Sequence, residues 1–438
     1  MPTPLVDALR SYAGREPFRF HMPGHKGRAL PLAELKWLAP LDVTELNGTG
    51  NLYEPGEPFD SAQELWAERF GFERCQFLTG GSTQGVHTGL ALCCKPGDKL
   101  LLDRGSHRSA FHAMALLDLQ PVWLGRPWLD HENLTGPISP ETVARALDRD
   151  PDIKTVCVTS PTYAGVLSDV PAIAQIAHAH GARLFVDGAH GAHLPFLGLE
   201  PFRGADCVAA SAHKTLPAMG QSALLFANGF DPDRVRQMAS VFGTSSPSYP
   251  MLASLDAARD WMEREGALAY ERAAARVAEL RGRFPSLRPG HGLSLDPTRF
   301  TLKARDGHAL ARALADRGVV PEMADRGHVV FICTAQDSGA DFRALAGRLE
   351  ELREQLEDGP PLTPPPLPQT VLTPRQALFA PRETVELAQS AGRTAAGHIA
   401  PSPPGVPVVA PGERIEKKHL AYLNEIGYNS PSVAVIQD

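Results

Sequence analysis

The sequence lacks the features that define several large classes of protein. No apolar run approaches the roughly 18 residues that a membrane-spanning helix needs, and the stretch after Met1 has no signal-peptide core. The net charge of −7 argues against a general nucleic-acid binder and slightly favours small cationic ligands. We therefore expect neither a membrane nor a nucleic acid as a partner.

Metal and disulfide patterns are also missing. The chain contains 6 cysteines, which lie in apolar contexts without CxxC spacing. They predict reduced thiols in the core of a cytoplasmic protein. The 16 histidines show no HExxH or similar spacing, so we expect no metal site.

Length and composition indicate a globular protein of two or three domains. The hydrophobic fraction of 43% and the charged fraction of 21% over 438 residues are ordinary for such a chain. A proline-dense stretch towards the C-terminus predicts a semi-rigid linker. The predicted segments are an N-terminal arm (1–30), a large domain (31–255), a small α/β domain (256–357), the linker (358–374) and a C-terminal subdomain (375–438).

Lys214 stands out because it follows a Val/Ala run, residues 207–210, that predicts a short buried strand. Burying an ammonium group costs several kcal/mol unless the charge is paired or neutralised. A desolvated lysine has a lowered pKa and becomes a nucleophilic amine able to form a Schiff base. This string alone also allows a surface lysine in a loop.

Polar side chains follow several predicted strands at the point where each strand ends. In an α/β fold with a mostly parallel sheet, these positions form the carboxyl edge, where such folds bind ligands. We expect the following residues to converge there: Ser82, His107, Thr162, Asp187 and Lys214.

The turn at residues 79–85 joins a predicted strand to a predicted helix and is rich in Gly, Ser and Thr. This arrangement presents backbone N–H groups and hydroxyls to a phosphate at a helix N-terminus. The turn matches neither GxGxxG nor a Walker A loop, so nucleotide binding is not the natural interpretation. A capped helix start with flexible glycines is the structural alternative.

Taken together, these residues meet the needs of pyridoxal 5′-phosphate. Lys214 would form the imine, and Asp187 would keep the pyridine nitrogen protonated so that the ring acts as an electron sink. His107 would stack on the ring. The predicted phosphate contacts are Gly81, Ser82, Thr83, Ser211 and His213.

Strings along nearly the whole chain resemble the Orn/Lys/Arg decarboxylase family of fold-type I pyridoxal phosphate enzymes. They lie at residues 20–26, 42–46, 77–85, 159–163, 189–193, 211–217, 244–249, 403–407 and 411–413. The resemblance is to the short form of the family, without an N-terminal wing domain. It implies an aspartate aminotransferase-like α/β major domain, a smaller α/β C-terminal domain and a homodimer, with or without further assembly.

The resemblance also implies residue roles. Lys214 resembles the Schiff-base lysine, Asp187 the partner of the pyridinium nitrogen and His107 the ring-stacking histidine. Additional cofactor contacts are implied for Thr162, Ala189 and His190, and for Ser245 or Ser246 reaching the phosphate of the neighbouring subunit.

Three further residues are candidates for binding the substrate. Glu322 resembles an acidic position associated with substrate binding. Glu45 is a second candidate acid, although a structural ion pair explains it equally well. His25, in the polar arm, is a candidate ligand contact or part of a solvated basic loop.

The activity that the resemblance implies is decarboxylation of arginine, lysine or ornithine to a polyamine-type amine. Transamination or elimination on the same frame is an alternative, and a non-catalytic paralogue is a second. The chain departs from the family pattern at four positions: Gly188 replaces an acid, Ala164 a tyrosine, Gly397 an acid and Ser402 a tyrosine. These departures bear on substrate choice and activity rather than on the cofactor lysine.

Overall fold

The computed structural model describes residues 1–15, 17–28, 30, 32–290, 292–357, 359, 361–401 and 405–437. Its helices are α1 (Pro4–Gly14), α2 (Phe59–Phe70), α3 (Gly81–Cys93), α4 (Arg108–Leu117), α5 (Pro140–Arg149), α6 (Val170–Ala179), α7 (Ala212–Thr215), α8 (Pro232–Val241), α9 (Tyr249–Trp261), α10 (Ala267–Arg283), α11 (Gly307–Ala315), α12 (Gly339–Glu351), α13 (Pro374–Leu378) and α14 (Lys417–Glu425).

The strands are β1 (Arg74–Leu78), β2 (Lys99–Asp103), β3 (Gln120–Leu124), β4 (Trp128–Leu129), β5 (Leu134–Thr135), β6 (Ile153–Thr159), β7 (Val166–Leu167), β8 (Arg183–Asp187), β9 (Cys207–Ser211), β10 (Ala223–Ala227), β11 (Ser294–Leu295), β12 (Arg299–Lys303), β13 (Met323–Ala324), β14 (His328–Ile332), β15 (Arg382–Glu386) and β16 (Ser432–Ile436). The chain divides into two compact units, one formed by Met1–Leu92 and Phe185–Tyr270, the other by Cys93–Leu184 and Glu271–Asp438.

In the first unit, four strands lie in the order β1–β10–β9–β8. The β1–β10 and β10–β9 pairs are antiparallel, whereas β9 and β8 are parallel. Two antiparallel steps return the chain to its original direction, so β1, β9 and β8 end at the same edge of the sheet. Leu78, Ser211 and Asp187 are the last residues of these three strands.

Two glycines let helix α3 lie unusually close to this sheet. A Cβ atom on Gly85 would stand 2.8 Å from Ala209 Cβ, and one on Gly89 would stand 2.2 Å from Phe185 Cε2. Any side chain at these positions would push the helix away from β8 and β9. The close packing therefore fixes the N-terminus of α3 beside the ends of these strands.

An aromatic cluster fills the core on another part of the first unit. Phe70 stacks on Phe226 with ring centroids 4.1 Å apart, and it lies nearly parallel to Phe202 at 6.5 Å. Phe202 is 2% exposed. Its ring is therefore held firmly in place, and it packs against the backbone of Gly188.

In the second unit, strands β6, β2 and β3 pair in that order and all run parallel. Asp103 ends β2 and forms a fully buried ion pair with Arg126, whose Nη2 also donates to Thr159 O at 2.6 Å. The Asp103 carboxylate in turn accepts from Thr159 N at 3.1 Å. This network joins the carboxyl ends of β2 and β6.

Further hydrophobic cores lie elsewhere in the second unit. The antiparallel strands β12–β14–β13 share a core with α10, α11 and α12. The antiparallel pair β15–β16 packs with α14 around Ile415, Leu423 and Val435. The predicted α/β class with a mostly parallel sheet and a smaller α/β part is confirmed. The predicted domain boundaries stay a prediction. Asp358, the first residue of the predicted linker, lies outside the described residues.

All 6 cysteines are described by the structure; all are buried, and none of them forms a disulfide bond. Within the described part of the chain, no helix is both long enough and apolar enough to cross a membrane.

Candidate active site

Lys214 lies in the short helix α7, directly after the buried strand β9. The carbonyl oxygen of Thr215, the last residue of α7, accepts a hydrogen bond from the hydroxyl of the buried Tyr270. His213 Nδ1 donates to Ser222 O at 2.9 Å. These contacts hold the turn that carries the lysine, so its position is set by core packing and not by a mobile loop.

The amine of Lys214 contacts a buried histidine. Its Nζ lies 3.0 Å from Nε2 of His190, which is 4% exposed. Lys214 itself is half-buried. A histidine at this distance accepts a proton from an ammonium group and returns it, so the pair can move a proton at Nζ.

Asp187 ends strand β8 and is 4% exposed. Its Oδ1 accepts from Ala189 N at 3.2 Å, while Gly188 N donates to Ala209 O at 2.9 Å. A carboxylate at a buried strand end is suited to pairing with a cationic ligand atom, because burial strengthens the interaction between charges.

Gly188 occupies the position where the family pattern has an acid. A Cβ atom there would stand 2.7 Å from two carbons of the Phe202 ring and 3.1 Å from Val208 Cγ1. The departure therefore has a packing reason, since the Phe202 ring fills the space that a side chain would need.

The predicted phosphate turn lies between β1 and α3. Ser211 Oγ donates to Ser82 Oγ at 3.0 Å, so the hydroxyl of the last residue of β9 meets a hydroxyl from the first turn of α3. Gly81 has a φ of +67°, which favours glycine, and its N–H donates to Gln221 O at 2.8 Å. Thr83 is exposed in the first turn of the helix. The first N–H groups of a helix have no partner within it and can bind an anion.

In the second unit, His107 follows β2 and is the N-cap residue of α4. Its Nδ1 accepts from Ser109 N at 3.3 Å and lies 2.9 Å from Ser109 Oγ. Because Nδ1 acts as an acceptor, the neutral ring carries its proton on Nε2.

Thr162 follows β6 in a tight turn of the second unit. Its Oγ1 accepts from Val166 N at 3.0 Å, and its carbonyl oxygen accepts from Gly165 N at 2.9 Å. The next residue, Tyr163, donates its hydroxyl to Glu322 Oε1 at 2.5 Å. Burial and then this hydrogen bond raise the pKa of Tyr163, so its hydroxyl stays protonated.

The remaining candidates lie in the first unit. His25 Nε2 is 3.0 Å from Asp42 Oδ2, and its Nδ1 accepts from Gly27 N at 3.1 Å. Glu45 accepts a hydrogen bond from its neighbour Thr44. Ser245 is exposed.

The structure thus brings together the lysine, the carboxylate and the hydroxyl pair of the first unit at one sheet edge. His107 and Thr162 both follow strands of the second unit whose carboxyl ends share an edge. The convergence of these two groups stays a prediction. Tyr163 was missed as a site residue, although its place directly after Thr162 in the matched string was a usable signal.

The other departures from the family pattern have simple surroundings. Ala164 O accepts from Thr301 Oγ1 at 2.9 Å, and a Cβ atom on Gly397 would meet Ala434 Cβ at an ordinary 3.6 Å. Ser402 lies outside the described residues, as do Pro403 and Pro404 of the matched C-terminal string.

The donor set fits pyridoxal phosphate. The ligand requires an amine, an anionic partner for a ring nitrogen and donors for a phosphate. These three groups are supplied by Lys214 just after β9, by Asp187 at the end of β8 and by the Ser82–Ser211 hydroxyl pair at the N-terminus of α3.

Known proteins match nearly the whole chain. The family model described as the Orn/Lys/Arg decarboxylase major domain matches residues 3–299, and the corresponding C-terminal domain model matches residues 363–429. An uncharacterized protein of Bacillus subtilis is 33% identical, with 97% of this chain and 94% of that protein covered. An arginine decarboxylase of the same organism is 30% identical, with 96% and 93% covered.

A solved structure shows the same fold. The lysine decarboxylase of Francisella novicida superposes with a TM-score of 0.81 at 21% identity, covering 99% of this chain and 81% of that one. This likeness confirms the fold that the matched strings predicted.

Proposed function

We propose that arginine is the substrate of this protein and pyridoxal phosphate its cofactor. The chain belongs to the Orn/Lys/Arg decarboxylase family, so it is a decarboxylase of a basic amino acid. The observation that carries the cofactor assignment is Lys214 Nζ, 3.0 Å from the buried His190 and one strand away from the Asp187 carboxylate. The choice of arginine is supported by the arginine decarboxylase that is 30% identical over 96% of this chain.

Pyridoxal phosphate, when bound, supplies an electron sink for the electron pair left behind by carbon dioxide. We assign Lys214 the covalent attachment of the cofactor. Asp187 holds a proton on the ring nitrogen by charge pairing, which burial strengthens. The Ser82–Ser211 hydroxyl pair and the N-terminus of α3 hold the phosphate.

Proton return to the substrate falls to the Lys214–His190 pair. The amine delivers a proton to Cα, and His190 Nε2, 3.0 Å from Nζ, resupplies it. This assignment requires the amine to be free of the cofactor when the substrate is bound. His107 stacks on the ring in this proposal, and its Ser109 contacts fix the orientation of the imidazole.

Recognition of the substrate side chain is assigned to Glu322. A guanidinium group offers five donors in a planar fork that matches a carboxylate. Tyr163 occupies one oxygen of that carboxylate, Oε1, and so orients the other. Glu45 and His25 are secondary candidates, because their side chains already have hydrogen-bond partners within the protein, Thr44 and Asp42 respectively.

The product would be an amine of the polyamine type. We propose a homodimer in which the exposed Ser245 reaches the phosphate held by the neighbouring subunit. A cytoplasmic location is supported by the buried cysteines, which form no disulfide bonds.

The function is tested with a substrate panel. Purified protein with pyridoxal phosphate is given arginine, lysine or ornithine, and carbon dioxide and the amine product are measured, with Lys214→Ala as the blank. We expect release of carbon dioxide and agmatine from arginine without any keto acid. Preference for lysine would overturn the substrate assignment, and strict dependence on a keto acid would indicate transamination instead.

A further inference from the structure

Arg104 connects the loop before His107 to a segment about 300 residues later in the chain. Its Nη1 donates to Pro407 O at 2.8 Å, and its Nη2 donates to Val408 O at 3.1 Å and to Glu413 Oε2 at 2.9 Å. All of these contacts lie within the second unit. All three hydrogen bonds of the guanidinium group therefore go to the same segment, residues 405–413.

The Arg104–Glu413 pair is deeply buried. Arg104 is 8% exposed and Glu413 is 1% exposed. The guanidinium carbon also lies 5.4 Å from the ring centroids of Phe111 and Trp123. Glu413 Oε2 accepts a second hydrogen bond, from Ala410 N at 2.7 Å. Removing one partner of such a pair leaves an uncompensated buried charge, so the geometry is strictly held.

The same segment touches His107 itself. Gly405 has a φ of +74°, and a Cβ atom built on it would stand 3.0 Å from His107 Cδ2 and 3.1 Å from Nε2. Gly405 O accepts from Arg108 N at 3.0 Å. Only a residue without a side chain allows the backbone to lie this close to the imidazole ring.

His107 is thus held at both ends of its ring. Ser109 contacts Nδ1, and the backbone of Gly405 packs against the edge formed by Cδ2 and Nε2. Only two residues separate Arg104 from His107, so a displacement of Arg104 is transmitted directly to the histidine.

We propose that residues 405–413 act as a positioning element for His107, with Arg104 and Glu413 as positioning residues. The inference rests on the proposed function, in which His107 stacks on the cofactor ring. It gives the C-terminal part of the chain an indirect role in cofactor binding, exerted through His107 and without contact with the cofactor.

The test measures cofactor affinity by titrating apo-protein with pyridoxal phosphate and following the visible absorption of the lysine-bound cofactor. Glu413→Gln removes the charge, and Gly405→Ala crowds His107 without changing charge. We expect each to weaken binding about tenfold, the size of a lost aromatic stacking contact. Glu383→Gln is the matched control, because it breaks the Arg393–Glu383 pair in the same C-terminal part and leaves the His107 loop intact.

A double-mutant cycle with His107→Ala separates positioning from general destabilisation. If Glu413 acts through His107, Glu413→Gln adds little to the loss already caused by His107→Ala. Equal losses in both backgrounds, or wild-type affinity in both Glu413→Gln and Gly405→Ala, would overturn the inference. If Glu413→Gln fails to fold, Gly405→Ala carries the same cycle.

Failure of the proposed function has a different signature. In that case the wild-type protein itself shows no visible absorption with pyridoxal phosphate, and both proposals fall. A wild-type protein with the absorption and variants that retain full affinity overturn only the positioning role.

Discussion

The hydroxyl of Tyr163 donates to Oε1 of Glu322 at 2.5 Å, joining the turn after β6 to the residue that precedes β13. The turn itself is clamped, because Gly165 O accepts from Asp296 N at 2.8 Å and Ala164 O accepts from Thr301 Oγ1 at 2.9 Å. A tyrosine fixed in this way limits the orientations open to the carboxylate. In the proposed function, this restriction orients the free oxygen of Glu322 towards a basic side chain.

The first prediction concerns Tyr163→Phe. Loss of one hydrogen bond to the Glu322 carboxylate should raise KM for arginine by about threefold to tenfold, in line with about 0.5–1.5 kcal/mol for such a bond. Because Tyr163 touches no reacting atom in the proposal, kcat should stay the same. Steady-state kinetics with Glu322→Gln in parallel provides the check. A fall in kcat at unchanged KM would contradict the assignment.

The second prediction concerns the departure at Gly188. In Gly188→Ala, the new Cβ would stand 2.7 Å from the Phe202 ring, and we expect a loss of about 1–3 kcal/mol in the free energy of unfolding. Denaturant titration measures the loss. In a Phe202→Leu background the same substitution should cost less, since the smaller side chain leaves room. An equal cost in both backgrounds would show that Phe202 is not the obstacle.

The third prediction concerns the packing of α3. Gly89→Ala places a Cβ atom 2.2 Å from Phe185 Cε2, so we expect a lower thermal midpoint and weaker binding of pyridoxal phosphate as the helix moves away from the sheet. Gly347→Ala in α12 is the matched control, because nothing lies within 4 Å of its Cβ position. That variant should gain about 0.5–1 kcal/mol from the better helix former. A tolerated Gly89→Ala would mean that α3 is free to shift.

The fourth prediction concerns the pH dependence of stability. His328 Nδ1 lies 3.1 Å from Asp325 Oδ1. Burial is the largest single influence on both pKa values and opposes both charges, but the hydrogen bond between the side chains, their charge attraction and hydrogen bonds with the backbone together outweigh it. The pKa of Asp325 is therefore lowered from 3.8, and the pKa of His328 is raised from 6.5.

The directions of these two pKa shifts determine how the stability of the fold changes with pH. The His328 contribution is fully present below pH 6.5 and is lost as the pH rises through the raised pKa of the folded state. The Asp325 contribution is fully present above pH 3.8 and is lost as the pH falls through the lowered pKa. Between about pH 6 and about pH 8, the thermal midpoint of Asp325→Asn should therefore fall less than that of the wild type. Parallel slopes would show that the pair does not stabilise the fold.

The sequence predicted the parts of the site that obey local rules. Lys214, Asp187 and Ser82 each lie just after an apolar run that predicts a strand, and strands alternate with helices in this part of the sequence. The resemblance added roles to these positions. The Arg104–Glu413 pair could not be predicted in this way, because its two residues are 309 positions apart and neither lies in a periodic pattern.

The contacts that explain Gly188 and Tyr163 also could not be predicted from the sequence, because they join residues that are far apart in the chain. Gly188 looked like the loss of a functional acid, and only the ring of Phe202 shows that the space is already filled. Tyr163 looked like part of a matched string, and its partner Glu322 lies 159 residues later. Contacts between distant segments depend on the whole fold, so single-sequence patterns do not contain them.

The proposed function depends above all on Lys214 as the residue that carries the cofactor. The most direct measurement is borohydride reduction of the protein with bound pyridoxal phosphate, followed by mass spectrometry of its peptides. We expect one labelled lysine, Lys214, and loss of both the label and the visible absorption in Lys214→Ala. A label on another lysine, or visible absorption that survives in Lys214→Ala, would contradict it.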